Sequence, residues 1–161
     1  MSDLQINRDT VFRTVNLGLR MYLGWVFLYA CYYKILDPGE FALSIASYQL
    51  LPLALVNIFA LILAWVELFA GLGLILGFRP RENSLIIIGM LVIFIMGISS
   101  ALYRNLSMGC GCFASTAAGE EMTAATLYRD IIWLAIGVYL FFAEDGSWGI
   151  EGIFRRKKVA D

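Results

Sequence analysis

Four long stretches of mostly apolar residues alternate with short polar segments along the chain. They cover about residues 15–36, 52–78, 84–101 and 123–143. A helix of roughly 20 apolar residues crosses the hydrocarbon core of a bilayer, and a backbone exposed to lipid must satisfy its hydrogen bonds internally. The pattern therefore predicts an all-α integral membrane protein, built as a bundle of four transmembrane helices.

A short helix is predicted directly after the first of these stretches. Asp37 can cap it, Pro38 suits its first position, and Glu40 completes a pattern like a capping box. Apolar side chains then recur at helical spacing, namely Phe41, Ile45 and Tyr48. That stripe fits a helix lying in the membrane interface. An amphipathic loop packed on the bundle fits it as well.

The composition indicates a membrane environment for most of the chain. Of its 161 residues, 60% are apolar and 16% are charged, whereas about a quarter of the residues of a soluble domain are charged. So short a chain could not cover that much apolar surface with a polar shell of its own. Because no proline-rich or serine-rich linker divides it, residues 1–161 are predicted to form a single domain in contact with the lipid bilayer.

Lysine and arginine are distributed unevenly between the two sides that four spans would create. One side has both termini and the second loop, with Arg8, Arg13, Arg79, Arg81, Arg155, Arg156, Lys157 and Lys158. The other side has Lys34, Arg104 and Arg129. The positive-inside rule puts the first side in the cytoplasm. We therefore expect a multi-pass protein of a bacterial inner membrane whose last inter-helix loop faces the periplasm, and we expect no nucleic-acid partner.

The last inter-helix loop contains Cys110-Gly111-Cys112, in a chain without histidine. Cysteines two residues apart can form a disulfide only if the backbone bends, which Gly111 permits because it tolerates positive φ. So small a ring is strained and easily reduced, which suits thiol–disulfide exchange on an oxidising side of the membrane. The alternatives are a structural disulfide, two thiols without a role, or a site for Cu(I) or zinc that recruits further ligands. We assign no metal site to the chain.

Cys31 lies near the outer end of the first predicted span. At 1.5 Å per residue it sits roughly 7–8 Å below that end, so it can meet the Cys-Gly-Cys motif if the loop folds inward. Cys31 would then be a resolving thiol, with Lys34 one turn away to favour the thiolate. The alternative is a small buried residue, which is the usual behaviour of cysteine.

Arg20 and Glu67 are ionisable residues set well within apolar stretches. Counted from Asp37 and Leu51, both lie about 24–25 Å from the outer edge at 1.5 Å per residue. A charge at the centre of a membrane helix costs roughly 2.5–3.5 kcal/mol, and a facing opposite charge offsets much of that cost. We therefore predict that the two form a structural pair. The alternatives are an arginine that reaches the headgroups beside a protonated glutamate, or a glutamate that relays protons to a quinone.

Several short motifs resemble those of the DoxX/MauE-like membrane protein family, and of its MauE members in particular. They are Gly24-Trp25-Val26-Phe27-Leu28-Tyr29-Ala30, Lys34-Ile35-Leu36-Asp37-Pro38, Tyr48-Gln49-Leu50-Leu51-Pro52, Trp65-Val66-Glu67-Leu68 and Cys110-Gly111-Cys112-Phe113. The resemblance spans about residues 20–133. One position departs from the pattern, since Ala114 stands where we expect glycine.

The resemblance implies a four-helix bundle related in outline to vitamin K epoxide reductase. It also implies a role in making or maintaining disulfides in periplasmic partners, with Cys110 and Cys112 as the redox pair. Relatives include the membrane subunit of thiosulfate:quinone oxidoreductase, so the resemblance suggests a quinone as the electron acceptor. Membership of such a family does not by itself fix the substrate.

Two functions follow as expectations from these features. The first is a membrane redox protein that carries out thiol–disulfide exchange, or disulfide maturation, on an extracytoplasmic partner. The second is a non-catalytic membrane subunit that scaffolds or anchors a larger electron-transfer complex. The lack of histidine, which is the commonest general base, favours a protein that depends on a partner in either case.

Overall fold

The computed structural model describes residues 2–104 and 124–143, with side chains from residue 10 onward. In these parts the chain forms five α-helices and has no strand. The helices are α1 (Ser2–Leu36), α2 (Pro38–Ser47), α3 (Leu53–Leu76), α4 (Pro80–Tyr103) and α5 (Ala124–Ala143). The all-α prediction is therefore confirmed for the described residues.

Three of the described helices are long and apolar enough to cross a membrane, judged by length and composition, namely α3, α4 and α5. Helix α1 is longer, at 35 residues, or about 52 Å at 1.5 Å per residue. It starts well before the apolar stretch predicted at residues 15–36, because polar residues continue the same helix toward the N-terminus. Arg20 and Lys34 interrupt its apolar part.

Helix α2 starts as predicted after the first long helix. The Asp37 side chain accepts a hydrogen bond from the Glu40 backbone N–H at 3.2 Å, and Pro38 occupies the first turn. One face of α2 is buried through Phe41, Ala42 and Ser44. That face packs mainly on α3, so α2 lies against the bundle at the point where α1 ends and α3 begins. We call this end of the bundle the α2 end.

Two glycines bring α1 and α3 into close contact. A Cβ atom added at Gly24 would lie 2.7 Å from Ile75 Cγ1 and 3.0 Å from the carbonyl oxygen of Gly71. The second close pairing is between α4 and α5. Small residues at the crossing point thus let the first two long helices approach each other, as is common between helices in membranes.

The surface of the bundle is apolar, while several charged side chains are buried. Trp25, Phe69 and Phe142 are largely exposed, as are many other large apolar side chains of the long helices. A large contiguous apolar surface is rare on a soluble monomer. The arrangement is that of a protein surrounded by lipid.

Candidate functional site

Lys34 and Glu67 form an ion pair inside the bundle. The Lys34 Nζ atom donates to Glu67 Oε1 at 2.5 Å, and the two side chains are 3% and 1% exposed. The same ammonium lies 4.9 Å from the ring centroid of Phe41 on α2 and 4.9 Å from that of Phe94 on α4. Aromatic faces attract a cation, so the Lys34 ammonium on α1 contacts groups from three other helices.

The pair differs from the one predicted, because Glu67 contacts Lys34 and not Arg20. The prediction placed the outer ends of α1 and α3 at one level, but the contact of Gly24 with Gly71 shows that they are staggered. Counted from Leu36 and Leu53, those glycines lie about 18 and 27 Å along their helices at 1.5 Å per residue. Helix α3 therefore extends about 9 Å beyond α1 at the α2 end.

The stagger explains which basic residue reaches the carboxylate. Glu67 lies level with the turn of α1 around Leu28, which is about 12 Å from the level of Arg20 at 1.5 Å per residue. Helical side chains also lean toward the N-terminus of their own helix. Lys34 and Glu67 therefore lean toward each other on antiparallel helices, whereas Arg20 leans away. Arg20 is itself buried.

A small cavity adjoins the pair and brings in a third charged residue, Asp130 of α5. The cavity has a volume of about 30 Å³, and its lining includes Lys34, Glu67, Asp130, Phe94 and Trp133. Asp130 is 2% exposed. A volume of this size accommodates water. By comparison, a cavity that binds benzene measures about 150 Å³, so the ring of a quinone does not fit here.

One oxygen of the Glu67 carboxylate remains available to a small ligand in this cavity. Its Oε2 atom is buried and has no hydrogen-bond partner among the described residues. A buried carboxylate oxygen without a partner is costly, and such atoms usually bind protein groups or ordered water. The arrangement can accept a proton or a water molecule at this atom.

The Asp130 side of the cavity approaches the protein surface. The Arg129 Nε atom lies 3.4 Å from Asp130 Oδ1, and the Arg129 side chain is 26% exposed. Its guanidinium also lies 4.7 Å from the Trp133 ring centroid. At the C-terminal end of α2, burial raises the pKa of Tyr48 to about 12, and the negative charge of Asp130 adds to the effect. Lys34, Glu67, Asp130 and Arg129 thus form a charged cluster that extends from the bundle interior toward the surface at the α2 end.

Neither Lys34 nor Asp130 was predicted as an interior charge, although each lies on a buried stripe at helical spacing. On α1 the buried positions include Leu23, Phe27, Cys31 and Lys34. On α5 they are Thr126, Asp130, Trp133, Gly137 and Leu140. The three-and-four spacing of these positions is the signal that would have identified both charges.

Cys31 occupies a packed position on α1. Its side chain is buried, and Sγ donates to the carbonyl oxygen of Leu28 at 3.1 Å. These contacts are those of a packed residue. Its role as a resolving thiol stays a prediction, because Cys110 and Cys112 lie outside the described residues.

The described ends of the α4–α5 connection lie at the α2 end. Helix α4 ends at Tyr103, and the next residue, Arg104, donates to the carbonyl oxygen of Tyr48 and to Gln49 Oε1. Helix α5 begins at Ala124. Within the described ranges, no group of three or more Cys, Asp or Glu side chains is arranged to hold a metal ion.

Comparison with known proteins places this chain in a family. A family model described as methylamine utilisation protein MauE matches residues 12–143. Searches of curated proteins and of solved structures gave no match. The matched region contains all of α2 to α5, most of α1, the Lys34–Glu67 pair and the Cys-Gly-Cys motif. The resemblance seen in the sequence is therefore confirmed, and this multi-pass membrane protein belongs to the MauE family.

Proposed function

We propose that this MauE-family protein exchanges a disulfide with an extracytoplasmic protein partner through Cys110 and Cys112, as part of methylamine utilisation. One observation carries the proposal: a Cys-Gly-Cys motif lies between α4 and α5 of a chain that matches the family model. Because Gly111 allows a strained and easily reduced ring, the pair suits exchange better than it suits a structural crosslink.

The proposal includes a four-span topology in the inner membrane of a bacterium, with α1 as a span beside α3, α4 and α5. In support, α1 packs along α3 and exposes large apolar side chains such as Trp25. Exposed arginines lie at the end of the bundle opposite α2, namely Arg13, Arg79 and Arg81. By the positive-inside rule that end is cytoplasmic, which puts the α2 end and the Cys-Gly-Cys motif on the periplasmic side.

The exchange transfers two electrons and two protons from the partner to Cys110 and Cys112. A thiolate of the partner attacks one sulfur of the Cys110–Cys112 disulfide, so that the S–S bond breaks and a mixed disulfide forms. The partner's second thiolate then attacks the mixed disulfide. The partner leaves with a new disulfide, having lost two electrons and two protons, and Cys110 and Cys112 have gained them as two thiols.

A quinone stays the proposed acceptor for the electrons that reach the cysteine pair. The resemblance in the sequence supports it, but the cavity beside Lys34 and Glu67 is too small for its ring. We therefore do not assign that cavity to the quinone.

A trapping experiment tests the exchange. In Cys110→Ser or Cys112→Ser, the remaining thiolate should attack the disulfide of the oxidised partner and hold that partner as a mixed disulfide, because the second cysteine of the motif is missing and cannot resolve it. The adduct is detected on a non-reducing gel after acid quench and alkylation, and it should disappear on reduction. In the wild-type protein, a mass-shifting maleimide should reveal both the disulfide and the dithiol form.

Cys31→Ser is the control in this assay. A serine hydroxyl can donate to the Leu28 carbonyl as the thiol does, so this variant should cycle like the wild type if Cys31 is only packed. Loss of cycling would instead make Cys31 the resolving thiol. If neither single variant gives an adduct and the double variant Cys110→Ser/Cys112→Ser supports full methylamine growth, the exchange is refuted and the scaffold function replaces it.

A further inference from the structure

The charged cluster at the α2 end has a feature that ion pairing alone does not explain. Lys34 contacts only the Oε1 atom of Glu67, and Oε2 is left buried without a hydrogen-bond partner among the described residues. Glu67 lines a cavity large enough for water. In an ion pair with only a structural role, we expect both carboxylate oxygens to have hydrogen-bond partners.

A second carboxylate on the same cavity connects it toward the surface. Asp130 is buried and also lines the cavity, and it contacts the partly exposed Arg129. Ionisable groups inside a membrane are costly and therefore rare, and chains of buried Asp and Glu are among the groups that form proton relays there. The order of groups is Glu67, cavity, Asp130, Arg129 and then the surface at the α2 end.

We propose that Glu67 is a proton-exchange site, which takes up and releases a proton at Oε2 through water in the cavity and Asp130. In uptake, the Asp130 carboxylate takes a proton from the aqueous phase at the α2 end and passes it to a cavity water, and that water gives a proton to Glu67 Oε2. Asp130 is then a carboxylate again. No electrons move, and the site is independent of Cys110 and Cys112.

The charges around Glu67 suit this role. The Lys34 Nζ atom donates to Oε1 and lies against the rings of Phe41 and Phe94, so it leaves Oε2 open toward the cavity. Helix α4 contributes only apolar residues to the lining, Leu91 and Phe94. The titratable and charged groups that face the cluster from the other elements are Lys34 and Cys31 on α1, Tyr48 after α2, and Asp130 and Arg129 on α5.

Infrared spectroscopy of the full chain in lipid nanodiscs tests the proposal. On titration to low pH, the wild-type protein should show a carboxylic acid band from a buried group. The band should shift in D₂O and be lost in Glu67→Gln. Glu82→Gln is the control, because Glu82 is an exposed carboxylate of α4, and the band should persist in it.

The route is tested by the rate at which this band exchanges in D₂O. Ala30 lines the cavity, so Ala30→Leu should fill it and slow exchange at least about tenfold, because the water is displaced. Asp130→Asn should slow exchange similarly. Ala135→Leu makes the same change at an exposed position of α5, and its exchange should match that of the wild type.

Several results would overturn the proposal. They are a band that survives Glu67→Gln, the absence of any such band while the protein stays folded, and exchange rates in Ala30→Leu and Asp130→Asn equal to that of the wild type. If Glu67→Gln does not fold, Ala30→Leu and Asp130→Asn still measure the route. Repeating the titration in Cys110→Ser/Cys112→Ser separates this proposal from disulfide exchange, because the band should be unchanged.

Discussion

The charged side chains of Lys34 and Glu67 are buried within the bundle. A single charge at the centre of a membrane helix costs roughly 2.5–3.5 kcal/mol on insertion scales. Here the two charges neutralise each other at 2.5 Å, and the ammonium also lies against two aromatic rings. Removing one partner leaves the other charge buried without compensation, which is strongly destabilising.

We predict that Lys34→Met and Glu67→Gln each lower the free energy of unfolding by about 3–5 kcal/mol, as expected for breaking a buried ion pair. The double variant should lose clearly less than the sum of the two, because neither charge is then left alone. The measurement is a double-mutant cycle, in which unfolding in detergent is followed by the helical circular-dichroism signal.

Arg20 provides the matched control for that cycle. It is as deeply buried as Lys34, but it lies about 12 Å from the level of Glu67 at 1.5 Å per residue. Arg20→Ala should destabilise the protein, and its effect should add to that of Glu67→Gln. Additivity for Lys34 with Glu67, or strong coupling for Arg20 with Glu67, would contradict the pairing in the structure.

Sequence reasoning identified Glu67 as a buried charge but assigned it the wrong partner. Depth was counted from the ends of the helices, and those ends are not level in the folded protein. The helix stagger depends on the close contact of Gly24 and Gly71, which no local pattern reveals. Asp130 lies near the start of the fourth apolar stretch predicted at residues 123–143, yet it is on the buried stripe of α5.

At the scale of the helices, the contact between α1 and α3 aligns the groups of the site. Gly24 and Gly71 meet backbone to backbone, and this contact sets the register that brings Lys34 to Glu67. The helix boundaries other than the start of α1 were anticipated to within a few residues, and proline and glycine mark several of them. Pro38 and Pro80 occupy first turns, and Gly77 ends α3 in the left-handed conformation with φ of 65°.

We predict that Gly24→Ala lowers the free energy of unfolding by about 1–3 kcal/mol, the usual cost of overpacking. The added methyl would lie 2.7 Å from Ile75 Cγ1 and 3.0 Å from the Gly71 carbonyl oxygen, and the latter is backbone that cannot easily move. Gly89→Ala is the control, because nothing lies within 4 Å of that position. It should be neutral or stabilising by up to about 1 kcal/mol, since alanine favours the helix. Equal effects of the two substitutions would count against the close helix contact.

At the scale of the whole molecule, the described structure has two distinct ends. The end opposite α2 joins α1 to α5 through polar contacts, in which Asn16 accepts a hydrogen bond from Tyr139 and donates to the carbonyl oxygen of Ala143. The α2 end contains the buried charged cluster and the described ends of the α4–α5 connection. The proposed function depends on this second end facing an oxidising compartment, because a reducing cytosol keeps thiols from forming stable disulfides.

Measuring which compartment contains the Cys-Gly-Cys motif therefore tests the proposed function most directly. Intact spheroplasts are reduced mildly and treated with a membrane-impermeant maleimide. We predict that Cys110 and Cys112 are labelled before lysis, and that Cys31 is labelled only after denaturation. Lys158→Cys, in a variant whose native cysteines are serine, should be labelled only after lysis. If Cys110 and Cys112 also require lysis, the motif is cytoplasmic, and both the topology and the disulfide exchange are contradicted.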